Sequence, residues 1–95
     1  MSPAFTVRTN SRYDRVAKSL QRRHPEFVTR HRSALQILAM DPYNRSRSHD
    51  IKKLEGVSEG DGKYRLALGR WRFRYDIFGT TVLLSYCGLR RENTY

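Results

Sequence analysis

The 95-residue chain has one cysteine, three prolines and three histidines, and its nine acidic residues face nineteen basic ones. A lone thiol, Cys87, inside an apolar run cannot build a disulfide framework, so a reducing compartment is expected and the cytoplasm is the default. Cys87 itself reads as a buried structural thiol. No apolar run approaches the roughly 20 residues of a membrane-spanning helix, and no h-region follows the N-terminus, so no membrane-spanning segment is expected. His24, His31 and His49 are scattered without ligand spacing, which argues against a metal site, and no cofactor motif is present. No glycines frame a serine as a nucleophile elbow, and Gly56, Gly60, Gly62 and Gly69 punctuate turns rather than form a phosphate loop. What remains is charge. The formal balance is +10, and fifteen of the nineteen cations are arginine, whose planar fork suits bidentate phosphate contacts. A nucleic acid, an anionic membrane surface or an acidic protein is the partner such a balance suggests. The length allows one domain, residues 1–95, burying roughly 60–70% of its unfolded surface.

The C-terminal third carries the clearest pattern. Tyr64, Leu66 and Leu68 alternate with Arg65 and Ala67; Trp71, Phe73, Tyr75 and Ile77 alternate with Arg70, Arg72, Arg74 and Asp76. Period-two alternation marks half-buried strands. A third run, Val82 to Cys87, follows a turn at Gly79-Thr80. The spacing predicts an antiparallel sheet with an aromatic face inward and an arginine face outward. Adjacent like charges repel across strands, so the arginine stripe is read as a surface for something anionic.

Upstream, Ala4 to Arg8 alternate as a short strand. Asn10 or Ser11 reads as a helix N-cap, with Asp14 as a capping-box-like acid. Tyr13, Val16, Ala17 and Leu20 make one apolar helix face, and Arg12, Arg15, Lys18, Arg22 and Arg23 are read as solvated. Pro25 suits the first turn of a second helix, whose stripe is Phe27, Val28, His31, Leu35 and Leu38 and which Asp41-Pro42 ends. His31 reads as a packed core histidine. Tyr43 to Asp50 reads as a loop, Ile51 to Leu54 as partly ordered, and Glu55 to Gly62 as a turn region. The expected fold is α+β, in the order β-α-α-β-β-β, with a helical hairpin on a four-stranded, mainly antiparallel sheet.

An array of arginines and lysines with a tyrosine can cut RNA without a metal. The 2′-hydroxyl of the RNA attacks the adjacent phosphorus, and the protein holds the backbone in line and stabilises charge on the phosphorane oxygens. One such donor is worth about 2.7–4 kcal/mol by analogy with oxyanion-hole deletions. DNA lacks the 2′-hydroxyl. His49, next to Asp50 in a loop, is a secondary candidate for a general base.

The runs I-K-K-L-E-G, Y-R-L-A-L-G-R-W-R-F-R-Y-D-I and G-L-R-R-E-N-T-Y together resemble the RelE/ParE superfamily of bacterial type II toxins. The resemblance covers nearly the whole chain and implies the same element order. It is stronger to the RelE branch, which cleaves messenger RNA in the ribosomal A site, than to the ParE branch, which poisons DNA gyrase. By resemblance, Arg72 binds the scissile phosphate, Arg90 stabilises developing phosphate charge with Arg91 as the fallback, and Tyr95 orients or stacks near the cut. Arg65 stands at a basic position of the family. Ala67 replaces a second lysine often found there, for which Arg74, Lys52 or Lys53 could substitute. The implied partners are a cognate antitoxin, the ribosome and mRNA. A gyrase inhibitor without nuclease activity and a non-catalytic basic RNA-binding module are the alternative functions.

Overall fold

A computed structural model describes residues 4–90. Seven elements follow in order: β1 (Thr6–Thr9), α1 (Ser11–Arg23), α2 (Phe27–Met40), β2 (Asp50–Lys53), β3 (Tyr64–Leu68), β4 (Trp71–Phe78) and β5 (Thr81–Leu89). The expected α+β arrangement of a helical hairpin on a mainly antiparallel sheet is present, with five strands rather than four. The order across the sheet is β1-β5-β4-β3-β2, and only the β1–β5 pair is parallel among the described residues. The extra strand is the segment read as partly ordered. Four residues with one apolar side chain, Ile51, carry little periodicity, yet they pair with Tyr64–Ala67 along the sheet edge.

The two helices cover the aromatic face. Trp71, Phe73 and Tyr75 are buried, together with Leu66, Val82, Leu84 and Cys87 from neighbouring strands and Tyr13, Phe27, Ala34 and Leu38 from the helices. Phe27 meets Trp71 edge-on at 5.2 Å between ring centroids and stacks on Phe73 at 6.1 Å, separations at which aromatic pairs attract beyond simple burial. The Tyr75 hydroxyl donates to the Pro42 carbonyl at 2.6 Å, tying the sheet to the end of α2. Asn10 is the N-cap of α1, its side chain accepting from the Tyr13 amide, while Asp14 accepts the Thr9 hydroxyl rather than closing a capping box. α2 begins at Phe27, two residues beyond Pro25, which lies in the turn before it. Cys87 lies in the core, and burial pushes its thiol up to about 12.

Two departures from strict alternation matter for the outer face. Arg74 pairs with Tyr86 but the next residue, Tyr75, pairs with Leu84, so Ser85 is an extra residue in β5. Such a bulge shifts the side-chain phase: Val82 and Leu84 point into the core before it, Cys87 after it, and Tyr86 lies on the outer face beside Arg74. Asp76, assigned by alternation to the exposed arginine face, is 1% exposed because residues Gly62 and Lys63 fold over it and donate their amides to its carboxylate at 2.8 and 3.1 Å. No helix among the described residues is long and apolar enough to cross a membrane.

His31 shares a 2.7 Å hydrogen bond with the Tyr13 hydroxyl between the helices. Burial holds its imidazole below the ordinary value, opposed by the charge of Asp14. A histidine whose folded pKa is depressed stabilises the fold above its unfolded value, near ~6.5, and loses that contribution as pH falls. The melting temperature is therefore expected to drop between pH 7.5 and 5.5, and His31→Gln to flatten that slope. A slope unchanged by the substitution contradicts the assignment.

Candidate functional site

The outer face of the sheet is ordered in rows set by strand register. One row reads Lys52, Arg65, Arg74, Tyr86 and the next reads Asp50, Ala67, Arg72, Gly88. Arg65 and Arg74 are direct cross-strand neighbours, an arrangement that costs stability unless each finds a partner. Arg65 ion-pairs with Asp50 at 2.9 Å, and Arg74 donates its Nε to the Gly62 carbonyl at 3.0 Å. Arg72 folds back toward the β3–β4 turn, donating to the Gly69 and Trp71 carbonyls at 2.7 and 3.0 Å. Arg90 enters beside that turn because its amide donates to the Arg70 carbonyl at 2.7 Å, extending the β5 ladder past Leu89.

These placements enclose a groove of about 430 Å³ lined by Asp50, Lys52, Leu54, Arg65, Arg72 and Arg90. Four cations from four strands or strand ends therefore face one concavity, which among the described residues is lined by one carboxylate, Asp50. The Arg65 Nε is buried there with no hydrogen-bond partner, although its side chain is otherwise anchored by Asp50. A concavity lined by several cations attracts anions, and charge-assisted N–H donors are the groups that hold a phosphate.

The chain has the RelE fold. A solved archaeal RelE–RelB complex from Pyrococcus horikoshii OT3 is similar to it with a TM-score of 0.62 over 94% of this chain and 98% of that one, at 20% identity. No protein-family model and no curated protein matches the chain.

Within this RelE-like fold, the sequence-derived site residues separate. Lys52, Arg65, Arg72 and Arg90 come together in the groove. Arg74 shares the face but is held outside the groove by the Gly62 loop. Lys53 pairs with Tyr64 and so lies on the opposite side of β2 from Lys52. Arg91 and Tyr95 lie outside the described residues. His49 is turned toward Asp41, 4.0 Å away, and its backbone bonds to Asn44, so it does not serve the groove. Among the described residues no cluster of three or more histidine, cysteine, aspartate or glutamate side chains is placed to hold a metal.

Sequence reasoning missed Asp50, Leu54, Tyr86 and Arg12. The first two follow from recognising β2 as a strand, since both share the parity of Lys52. Arg12, read as solvated, is exposed, and its guanidinium sits over the Tyr86 ring at 5.4 Å from the centroid.

The Gly62 loop determines where Arg74 points. Gly62 has φ of +82°, and a Cβ there would lie 2.9 Å from the Arg74 Cβ. Asp76 holds this loop down through two charge-assisted bonds, so Asp76→Ala is expected to cost about 3 kcal/mol in urea-induced unfolding. An unchanged midpoint and slope would show that the loop is held by something else.

Proposed function

We propose that the chain is the toxin of a type II toxin–antitoxin pair, a cytoplasmic protein that cuts messenger RNA on the ribosome without a metal ion. The observation that carries this reading is the convergence of Lys52, Arg65, Arg72 and Arg90 on one groove. The RelE fold supports it, and so does the net charge of +10, which suits entry into a site walled by RNA phosphates.

The reaction follows from the groove's chemistry. The RNA 2′-oxygen forms a bond to the adjacent phosphorus as the bond to the 5′-oxygen breaks, leaving a 2′,3′-cyclic phosphate and a 5′-hydroxyl. One proton leaves the 2′-oxygen and one reaches the departing 5′-oxygen. Arg72 and Arg90 hold the non-bridging oxygens, where charge grows in the transition state, and Arg65 and Lys52 hold the flanking backbone. Arginine is a poor base at neutral pH, so these residues act through charge and position; Tyr95 is proposed to orient the nucleotide beside the cut. Arg74 contacts the RNA further out, Arg91 is proposed as the fallback for Arg90, and Lys53 steers the RNA from the far side of β2.

An acidic antitoxin is the partner that such a face requires. The archaeal RelE is seen in complex with RelB, and the equivalent partner here is proposed to cover the arginine rows. Its affinity is expected to fall as salt rises, since exposed charges are screened over about 8–10 Å at physiological ionic strength. Affinity that stays flat from low to high salt points instead to an apolar interface.

Arg72→Ala and Arg90→Ala are each expected to slow cleavage of translated mRNA roughly 10²–10³-fold, read by primer extension after induction, while the proteins stay folded. Chelation by EDTA, under conditions that keep the ribosome intact, and Cys87→Ser are expected to leave cleavage unchanged. If induced cells arrest with mRNA intact and DNA gyrase trapped, the chain is a gyrase poison. If RNA is bound and nothing is cut or arrested, it is a binding module.

A further inference from the structure

The cationic surface continues past the groove, across β5, to a place where the fold makes a specific contact between α1 and the outer face. β1 covers the edge of β5 only from Thr81 to Leu84. Beyond that point the Asn10 amide bonds to the Leu84 carbonyl and the chain turns into α1, which packs against β5. The first turn of α1 therefore stands at the rim of the outer face, and Arg12 reaches over Tyr86.

Three features fix Tyr86. The Ser85 bulge turns its side chain outward, where unbroken alternation from Val82 and Leu84 would send it into the core. Gly88, two residues on and on the same face, leaves room for the ring to lean along the strand: a Cβ at Gly88 would lie 2.8 Å from the Tyr86 hydroxyl and 3.2 Å from two ring carbons. Arg12 then covers one face of the ring at 5.4 Å. Gly88 is the direct cross-strand partner of Arg72, so the hydroxyl lies over the row of the outer face that holds Arg72. The hydroxyl has no hydrogen-bond partner among the described residues.

We propose that Tyr86 and Arg12 form a second phosphate subsite, which binds the RNA backbone next to the phosphate held in the groove. The Tyr86 hydroxyl donates to a phosphate oxygen and Arg12 supplies the charge. A phosphate is the ligand because Arg12 brings positive charge to the ring, because Arg74 and Arg72 are the cross-strand partners of Tyr86 and Gly88 on the same face, and because Arg12 already occupies a ring face that a stacking base would need. Tyr86 is a positioning residue: it sets the register of the strand in the groove and takes no proton in the reaction. The inference rests on reading the chain as an RNA-cleaving toxin, but binding and cutting test the two separately.

The probe is a fluorescent single-stranded oligoribonucleotide bound without ribosomes and followed by anisotropy from 50 to 300 mM salt. Tyr86→Phe keeps the ring and is expected to weaken binding roughly tenfold, the worth of a hydrogen bond to a charged group. Arg12→Ala is expected to weaken binding and to lower the slope of log affinity against log salt by about 0.7, one single-strand phosphate contact. Lys18→Ala, on the same helix but away from Tyr86, leaves that slope unchanged. Gly88→Ala displaces the ring, so Gly88→Ala with Tyr86→Phe binds no worse than Tyr86→Phe alone; should Gly88→Ala fail to fold, the first two variants still decide. In the ribosomal cleavage assay Tyr86→Phe raises KM with kcat little changed, whereas Arg72→Ala lowers kcat. Wild-type affinity and slope in both Tyr86→Phe and Arg12→Ala, or a wild-type protein that does not hold the oligonucleotide at 50 mM salt, overturns the subsite. A wild type that binds RNA with the expected slopes but cuts no mRNA overturns the nuclease reading and leaves the subsite standing.

Discussion

Along β4 the side chains cannot be moved independently. Trp71, Phe73 and Tyr75 are held in the core by the two helices, and because alternate residues of a strand face opposite ways, Arg72 and Arg74 are thereby held on the other side. A slip of one residue would expose three aromatic rings and bury two guanidinium groups, so the register is determined from the apolar side. The cationic face is a consequence of aromatic packing and needs no attraction among its own members. It needs only that their repulsion be offset locally, and the offsets are visible: Asp50 for Arg65, Glu26 for Arg70, and backbone carbonyls for Arg72 and Arg74.

That division explains what was legible in the sequence. β3, β4 and the two helices were legible because each has enough apolar residues at one period to identify itself. β2 was not, since four residues with one apolar side chain are defined by what they pair with. Asp76 has the parity of an exposed residue and is buried by a loop that arrives from fourteen residues upstream. Lys52 and Lys53 were indistinguishable until β2 became a strand, whereupon alternation alone separates them. Tyr86 shows where alternation alone misleads. Counted from Val82 and Leu84 it belongs to the core; only the bulge at Ser85, which no residue type announces, places it outside. The contact of Arg12 with Tyr86 was hidden for a related reason, since helix periodicity tells which residues share a face but not which sheet edge that face will meet.

The groove's position follows from the uneven lengths of the strands. β5 runs the full length of β4 and one residue further, because the Arg90 amide finds the Arg70 carbonyl, and this carries a C-terminal cation back to the β3–β4 turn. β2, at the opposite edge, is short and ends before the turn region that precedes β3, so its side chains wall the groove without closing it. Convergence of residues 52, 65, 72 and 90 is thus a property of pairing, invisible to any one segment.

Within that groove Asp50 has a defined physical effect. Without an anion, Lys52, Arg65, Arg72 and Arg90 face each other across a shared concavity, and the Asp50 carboxylate keeps Arg65 folded into it rather than extended into water. The contact is a single one, to one terminal nitrogen, and it leaves the Arg65 Nε buried and unsatisfied. A carboxylate satisfying both edges of that guanidinium would compete strongly with a substrate phosphate; no carboxylate at all would leave the side chain to wander. One partial ion pair at a half-exposed rim does neither. It holds the arginine in the groove proposed to take a phosphate, so an incoming phosphate has less conformational freedom to remove.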